Sequence, residues 1–266
     1  MVGRGQLVTP PLVVVHRDAV LLARAVAARL VTALVDAQAA RGTASVVLTG
    51  GGIGTATLRE IAASPARDAV DWGALDIWWG DERFLPAAHP ERNDVQAREA
   101  LLDAVDVDPD RVHPMGASDG PDGDDVDAAA EAYAAALAAA ARPEDHGPVP
   151  TFDVLLLGVG AEGHIASLFP GSPALYDERL VVPVRGAPKP PPTRLSLSLG
   201  AINAAREVWI VAAGQEKAGA ARLALGGAGA TAVPAAGAQG KARTLWLLDA
   251  PAAARLPAAL SRIASP

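Results

Sequence analysis

Short runs of β-branched residues and leucine alternate along this chain with longer alanine-rich stretches of helical pattern. The apolar runs are Leu12 to Val15, Ser45 to Thr49, Leu75 to Trp79, Phe152 to Leu157, Leu180 to Val184, Arg194 to Ser198, Glu207 to Ala212 and Thr244 to Leu248. Between them, helical patterns cover Ala19 to Ala40, Thr55 to Ala63, Asn93 to Val105, Asp125 to Ala141 and Gln215 to Leu225. Near-continuous apolar strands separated by helices point to a mostly parallel sheet covered on both faces. The expected fold class is α/β, a three-layer α/β/α arrangement around a mostly parallel, Rossmann-like sheet, in one domain over residues 1–266.

Two segments interrupt the alternation. Asp106 to Asp127 is acidic and rich in Pro and Gly, and reads as a solvated surface loop leading into a helix with Asp124 or Asp125 near the N-cap. Its aspartates lack the ligand spacing of a calcium loop, with Gly at the sixth position and Glu at the twelfth, so no metal is expected there. Arg185 to Pro192 (RGAPKPPP) can form neither a helix nor a central strand and reads as a stiff loop.

Composition narrows the function classes. Half of the 266 residues are hydrophobic and 20% are charged, which excludes a disordered chain. With no Cys, disulfides, thiolate zinc sites and a Cys nucleophile are excluded. The formal net charge of −7 offers no electrostatic reason to expect nucleic acid or an anionic membrane as a partner. An anionic substrate must then be held by a few placed cations. Lysine is scarce, with only Lys189, Lys217 and Lys241, so a lysine in a loop stands out. The apolar run near the N-terminus is short and broken by Pro10 and Pro11, unlike a signal peptide, and no stretch is long enough for a membrane helix. The expected location is cytoplasmic.

In an open parallel sheet, ligands bind outside the carboxyl ends of the strands, and three loops stand out there. Thr49-Gly50-Gly51-Gly52-Ile53-Gly54-Thr55 follows one strand and opens a helix at about Thr55, leaving backbone N–H groups to face an anion. It is neither a Walker loop nor a dinucleotide fingerprint, and a tight turn without a ligand is the alternative. Trp79-Gly80-Asp81-Glu82-Arg83-Phe84 brings two carboxylates and a guanidinium to a strand end, either as a surface ion-pair cluster or as a catalytic carboxylate with a phosphate clamp. The third loop, Gly158 to Pro170, carries His164 two residues after Glu162, a carboxylate able to fix its tautomer. His16, His89, His113 and His146 read as structural or exposed. Ser167 lacks the G-x-S-x-G elbow of a serine hydrolase.

The segment GVGAEGHIASLFPG resembles the signature of the 6-phosphogluconolactonases, G-x-G-x-D-G-H-x-A-S-L-F-P. WGDERFLPAAHPERND resembles their D-E-R segment with its downstream S-N or R-N. TRLSLSLGAINAAREVWIVAAGQEKA resembles their R-[IL]-[ST]-L-[ST] strand followed by a helix, a strand and a G-x-x-K-A loop. With TGGG near residue 50 and the LLDAPAA tail, the resemblance spans roughly residues 12 to 252. The chain departs from the pattern where Glu162 replaces the common Asp, on a longer arm. It departs again where Thr49 to Gly54 replaces S-G-G-S-T-P, which shifts phosphate contact toward backbone N–H groups and Thr55.

The resemblance implies hydrolysis of 6-phosphogluconolactone, an activated ester that needs a base for water and donors for the carbonyl oxygen, with no cofactor and no metal. His164 is the implied base, and Glu162 and Asp81 the carboxylates that position the imidazole or the sugar hydroxyls. Gly50, Gly51, Gly52, Thr55, Arg83, Lys217 and Arg194 are the implied phosphate ligands, and amides of the 158 to 163 loop the oxyanion donors. A small-molecule substrate is the implied partner, with neither nucleic acid nor membrane. Two alternatives share the fold: a glucosamine-6-phosphate deaminase and a non-catalytic phosphosugar-binding module. The deaminases typically read G-H-I-A-F-N-E, with a carboxylate five residues after the histidine to serve ring opening, and here that position is Phe169. A regulator would need a helix-turn-helix segment ahead of the domain, and the first strand begins by about residue 12.

Overall fold

The computed structural model of the protein describes residues 10–145, 147–260 and 262–265. The first nine residues, part of the segment read as no signal peptide, and His146 lie outside the described residues. In chain order the strands and α-helices are β1 (Leu12–His16), α1 (Ala19–Arg41), β2 (Ala44–Leu48), α2 (Gly51–Ala63), β3 (Leu75–Trp79), β4 (Asp81–Arg83), α3 (Asn93–Ala100), β5 (Val112–His113) and α4 (Val126–Ala140). They continue with β6 (Val154–Gly158), β7 (Val181–Val184), β8 (Arg194–Leu197), α5 (Leu199–Ile202), β9 (Glu207–Ala212), α6 (Ala218–Leu225), β10 (Arg243–Asp249), α7 (Ala250–Ala253) and β11 (Arg262–Ser265).

Eight strands form the main sheet in the order β11-β1-β10-β9-β6-β2-β3-β5. Every neighbouring pair is parallel. Its central strands are buried along their length, as expected where helices cover both faces. Helix α1 shows how the sequence sets this up. Its buried residues Leu22, Val26, Leu30 and Leu34 recur every four positions. Asp18 accepts the Leu21 N–H at 2.9 Å to start the helix, and Gly42 ends it at φ 79°.

The runs Leu180 to Val184 and Arg194 to Ser198, read as strands of the parallel sheet, instead form β7 and β8 of a separate antiparallel sheet, β4-β8-β7. An apolar run buried on both sides looks the same in either sheet. The helical pattern Asn93 to Val105 breaks at Leu101 and resumes as a 3₁₀ turn, Leu102–Ala104. Asp106 to Asp127 is more than a solvated loop. It contributes β5 to the edge of the main sheet and buries Met115 and Val126. Its aspartates have local work: Asp108 caps the turn Pro109–Arg111, Asp125 caps α4, and Asp119 accepts the Ala87 N–H at 2.7 Å.

The connection from β4 to α3 is fixed by a buried charged cluster. Helix α3 has no capping side chain of its own at Arg92. Glu82 takes that role from a distance, accepting the N–H groups of Asn93 at 2.7 Å and Asp94 at 2.9 Å. The Arg92 guanidinium lies 3.8 Å from Glu82, pairs with Asp94 at 2.9 Å and donates to the carbonyls of Met115 and Gly116. Burial pushes the Glu82 carboxyl up, against the opposing pull of Arg92 and the two amides. Glu82 and Arg92 are both almost wholly inaccessible, so removing either partner strands the other. Glu82→Ala should therefore lower the unfolding free energy by about 3–5 kcal/mol, and Glu82→Gln by clearly less, because the amide oxygen still accepts a helix N–H. Urea titrations of the three proteins check this; a Glu82→Ala loss below about 1 kcal/mol would remove the cluster from the stability of the fold.

Candidate active site

A cavity of about 340 Å³ opens at the carboxyl ends of β9, β6, β2 and β3, with walls from the loops that follow these strands. This is the place the strand order predicts for a ligand in an open α/β sheet. Gly50, Gly51 and Gly52, Asp81, Arg83, His164, Arg194 and Lys217, all singled out from the sequence, line it together.

The first wall is the glycine run. Helix α2 begins at Gly51, with Gly50 as N-cap, and not at Thr55 as the pattern suggested. Glycine has so low a helix propensity that the first turn was hidden in the sequence. Three of the first four N–H groups, those of Gly50, Gly51 and Gly52, therefore belong to glycines and have no intrahelical acceptor. Gly50 is required by contact: a Cβ there would fall on Oδ1 of Asn93. Thr55 lies outside this cavity, in an adjoining depression with Arg59, Gln96 and Glu99, because the earlier helix start turns it away.

The second wall is β4. Asp81 accepts the Ser167 hydroxyl at 2.7 Å, and its backbone carbonyl accepts Nδ2 of Asn93 at 2.8 Å. Ser167 is fully buried in this network, and its N–H donates to Ser196 Oγ at 3.2 Å. It thus orients Asp81 and is not presented as a nucleophile. The D-E-R triplet is divided: Asp81 and Arg83 reach the cavity, while Glu82 turns inward to cap α3. Alternation of side chains along a strand produces this split. Arg83 stands directly opposite Arg194 across the β4–β8 pair. Like charges so placed repel, and an anion between them would relieve the repulsion.

The third wall carries the histidine. Gly160 N–H donates to the His164 carbonyl at 2.9 Å, folding the loop so that the imidazole lies over Gly160. A Cβ at residue 160 would occupy the space of His164 Nδ1. Nδ1 is 2.9 Å from Glu162 Oε1, and the ring packs on Phe169 with centroids 4.5 Å apart. Burial alone would raise the Glu162 carboxyl, but its own backbone N–H, Lys189 and His164 outweigh that and hold it at about 2. An ionised carboxylate can only accept, so Nδ1 carries the proton and Nε2 keeps its lone pair. Burial also lowers the His164 pKa below its ordinary value, with Glu162 opposing. The imidazole therefore stays neutral to a lower pH than a free histidine does.

Lys217 lies at the start of α6 and lines the same cavity as the glycine run, 3.8 Å from Glu216. Arg194 is buried, and its Nε and Nη2 donate to the carbonyls of Pro191, Lys189 and Pro190. These nitrogens hold the 185–192 loop, so its reading as a phosphate ligand alone is incomplete. Two further residues were not assigned from the sequence. Asn93 joins the Asp81 wall to Gly50. Lys189 lines the cavity and donates to Glu162 Oε2 at 2.9 Å. The rarity of lysine was the signal for Lys189, but the reach of its loop is a tertiary fact. The other described histidines lie elsewhere: His113 stacks on Trp78 at 3.8 Å, His89 accepts the Glu91 N–H, and His16 is buried at the end of β1.

Residues 17–246 match the family model described as glucosamine-6-phosphate isomerases/6-phosphogluconolactonase. A 6-phosphogluconolactonase of Streptomyces coelicolor is 63% identical over 251 residues, 94% of this chain and 96% of that protein. One from Mycobacterium tuberculosis is 53% identical over 241 residues, 90% of this chain and 96% of that protein. Among solved structures, the 6-phosphogluconolactonase of Trypanosoma brucei superposes with a TM-score of 0.80 at 31% identity, covering 93% of this chain and 99% of that one. A monomeric glucosamine-6-phosphate deaminase of the NagB superfamily shares the fold, with a TM-score of 0.74 at 19% identity over 92% of this chain and 99% of that one.

The close fit of the imidazole over Gly160 can be tested directly. Gly160→Ala should leave the melting temperature within a few degrees, since only the ring and its loop must move, yet cost about a hundredfold in any reaction that depends on His164. Circular dichroism melting paired with turnover checks it; an alanine variant of full activity would mean that the position of the ring is not critical.

Proposed function

The chain belongs to the glucosamine-6-phosphate isomerase/6-phosphogluconolactonase family and hydrolyses 6-phosphogluconolactone to 6-phosphogluconate, a step of the pentose phosphate pathway; on that premise we propose that His164 is its general base. The observation that carries this reading is the Glu162–His164 hydrogen bond, which leaves the Nε2 lone pair available at the carboxyl end of β6. Nε2 takes a proton from water as the water oxygen attacks the lactone carbonyl carbon. The carbonyl oxygen becomes an oxyanion, which backbone N–H groups of the 158 to 163 loop stabilise. Collapse breaks the bond from that carbon to the ring oxygen, which takes the proton back from the imidazolium. Atoms and charge balance without a covalent intermediate: lactone and water give the acid, which ionises at neutral pH.

The 6-phosphate binds between the Gly50 to Gly52 amides, Arg83 and Lys217, with Arg194 opposite Arg83 on the neighbouring strand. Two features support this placement. A cation at the start of a helix opposes the helix dipole, so Lys217 makes electrostatic sense when an anion lies before it. The Arg83–Arg194 pair gains in the same way. Asp81, held by Ser167 and Asn93, faces the sugar hydroxyls. Phe169 stands where the deaminases carry a carboxylate, and here it packs against the imidazole. No helix among the described residues is long and apolar enough to cross a membrane.

The purified protein should hydrolyse freshly generated 6-phosphogluconolactone well above the spontaneous rate. His164→Ala should reduce the catalysed rate by roughly a hundred- to ten-thousand-fold while the fold persists. Near-normal turnover by a folded variant would remove His164 from the mechanism. Lys217→Ala should chiefly raise KM, by the equivalent of about 1.5–3 kcal/mol for one charge-assisted contact. A fall in kcat at unchanged KM would instead place Lys217 at the reacting carbon.

A further inference from the structure

We infer that Lys189 is a positioning residue for this reaction: its ammonium tethers the outer oxygen of Glu162, so that the inner oxygen stays on His164 Nδ1. The inference rests on the role proposed for His164 and adds a member to the site from a different part of the chain.

The chain of contacts is continuous. Lys189 Nζ donates to Glu162 Oε2 at 2.9 Å, and Glu162 Oε1 lies 2.9 Å from His164 Nδ1. As a contribution to stability this ion pair counts for little, since the Lys189 side chain is 47% exposed and that of Glu162 is 34% exposed. What it supplies is orientation. Glutamate has one more rotatable bond than the aspartate common at this position, so its contacts with its own backbone N–H and with the ring nitrogen leave the carboxylate on a longer, looser arm. The ammonium on the other oxygen, coming from a different loop, restricts that arm.

The loop that delivers Lys189 is itself anchored. Arg194 is buried and donates to the carbonyls of Lys189, Pro190 and Pro191, each at 3.1 Å. The Ala187 N–H donates to the Pro192 carbonyl at 2.9 Å and closes the loop on itself. The Arg194 guanidinium also lies 5.8 Å from the Phe169 centroid, and Phe169 packs on His164. One arginine thus fixes both the backbone that carries Lys189 and the ring that backs the histidine.

The electrostatic consequence has a definite sign. His164 is faced by Glu162 from its own loop, by Lys189 from the 185–192 loop and by Asp81 from β4. Arg83 and Arg194 from the small sheet, with Glu216 and Lys217 after β9, line the same cavity further off. Lys189 disfavours the imidazolium, both directly and by neutralising Glu162. Its removal must therefore raise the pH at which His164 protonates, and the acid limb of the rate profile with it.

The test compares wild type, Lys189→Met and Lys189→Arg in two measurements: kcat and KM for 6-phosphogluconolactone from pH 5 to 8, and the His164 titration by NMR of histidine-labelled, unliganded protein. In Lys189→Met the acid limb of kcat/KM and the NMR midpoint should both rise, by about half a pH unit. On the alkaline plateau kcat should fall roughly three- to tenfold, as expected for a base held less well, with KM changed less than twofold. Lys189→Arg should restore both. The inference is overturned if the midpoints do not move, if plateau kcat is unchanged, if KM carries the loss, or if arginine rescues no better than methionine. Failure of the parent reading looks different: His164→Ala would then turn over like wild type, whatever Lys189 does.

Discussion

The carboxylate of Glu82 is the contact on which the geometry of the site depends most. It lies in β4, a strand of the small sheet, and by capping α3 from a distance it fixes where that helix starts. The start of α3 places Asn93, which in turn contacts both Asp81 and the glycine run. Arg92, on the other side, pulls the backbone at Met115 and Gly116 under the same helix end. Three segments distant in sequence are thus aligned by one buried group. An ion pair so deeply buried adds uncertain net stability compared with an apolar replacement. Its value here lies in register.

The site combines a rigid floor with polar walls. The floor is the row of strand ends, whose hydrogen bonds to their neighbours leave little freedom. Backbone close approach then sets the position of the side chains: glycine at 160 lets the imidazole settle on the chain, and glycine at 50 lets Asn93 press against the glycine run. Thr49 Oγ1 links the first and third walls by accepting the Gly158 N–H at 3.2 Å. Few of these contacts are strong individually. Together they hold His164, the carboxylates and the cations around one cavity before any substrate enters it.

Much of this was legible in the sequence, for identifiable reasons. Strands such as Val154–Gly158 and Glu207–Ala212 are buried on both faces, and burial writes itself as an apolar run. The residues after those runs could be picked out because strand ends are where an α/β sheet binds ligands. What escaped notice has little local signal. β4 is three polar residues paired only with β8, β5 is two residues within an acidic segment, and α2 starts among glycines that no propensity scale favours. Whether Leu180 to Val184 joins the main sheet or a second one depends on partners, not on composition. Lys189 stood out through the rarity of lysine and Arg194 through the resemblance, yet the contact of the one with Glu162 and of the other with the loop carbonyls comes from the fold alone.

The run of prolines around Lys189 has a consequence for how the site is made ready. Pro188, Pro190, Pro191 and Pro192 restrict their φ angles in the unfolded chain as well as in the folded one. The segment therefore has few conformations to lose, and ordering it costs less conformational entropy than ordering a loop of ordinary residues. A lysine on a flexible arm would have to be collected by the substrate at the expense of binding free energy. Carried on a stiff arm, its ammonium is already in place beside Glu162 before the lactone arrives, and less binding free energy is spent on ordering the loop.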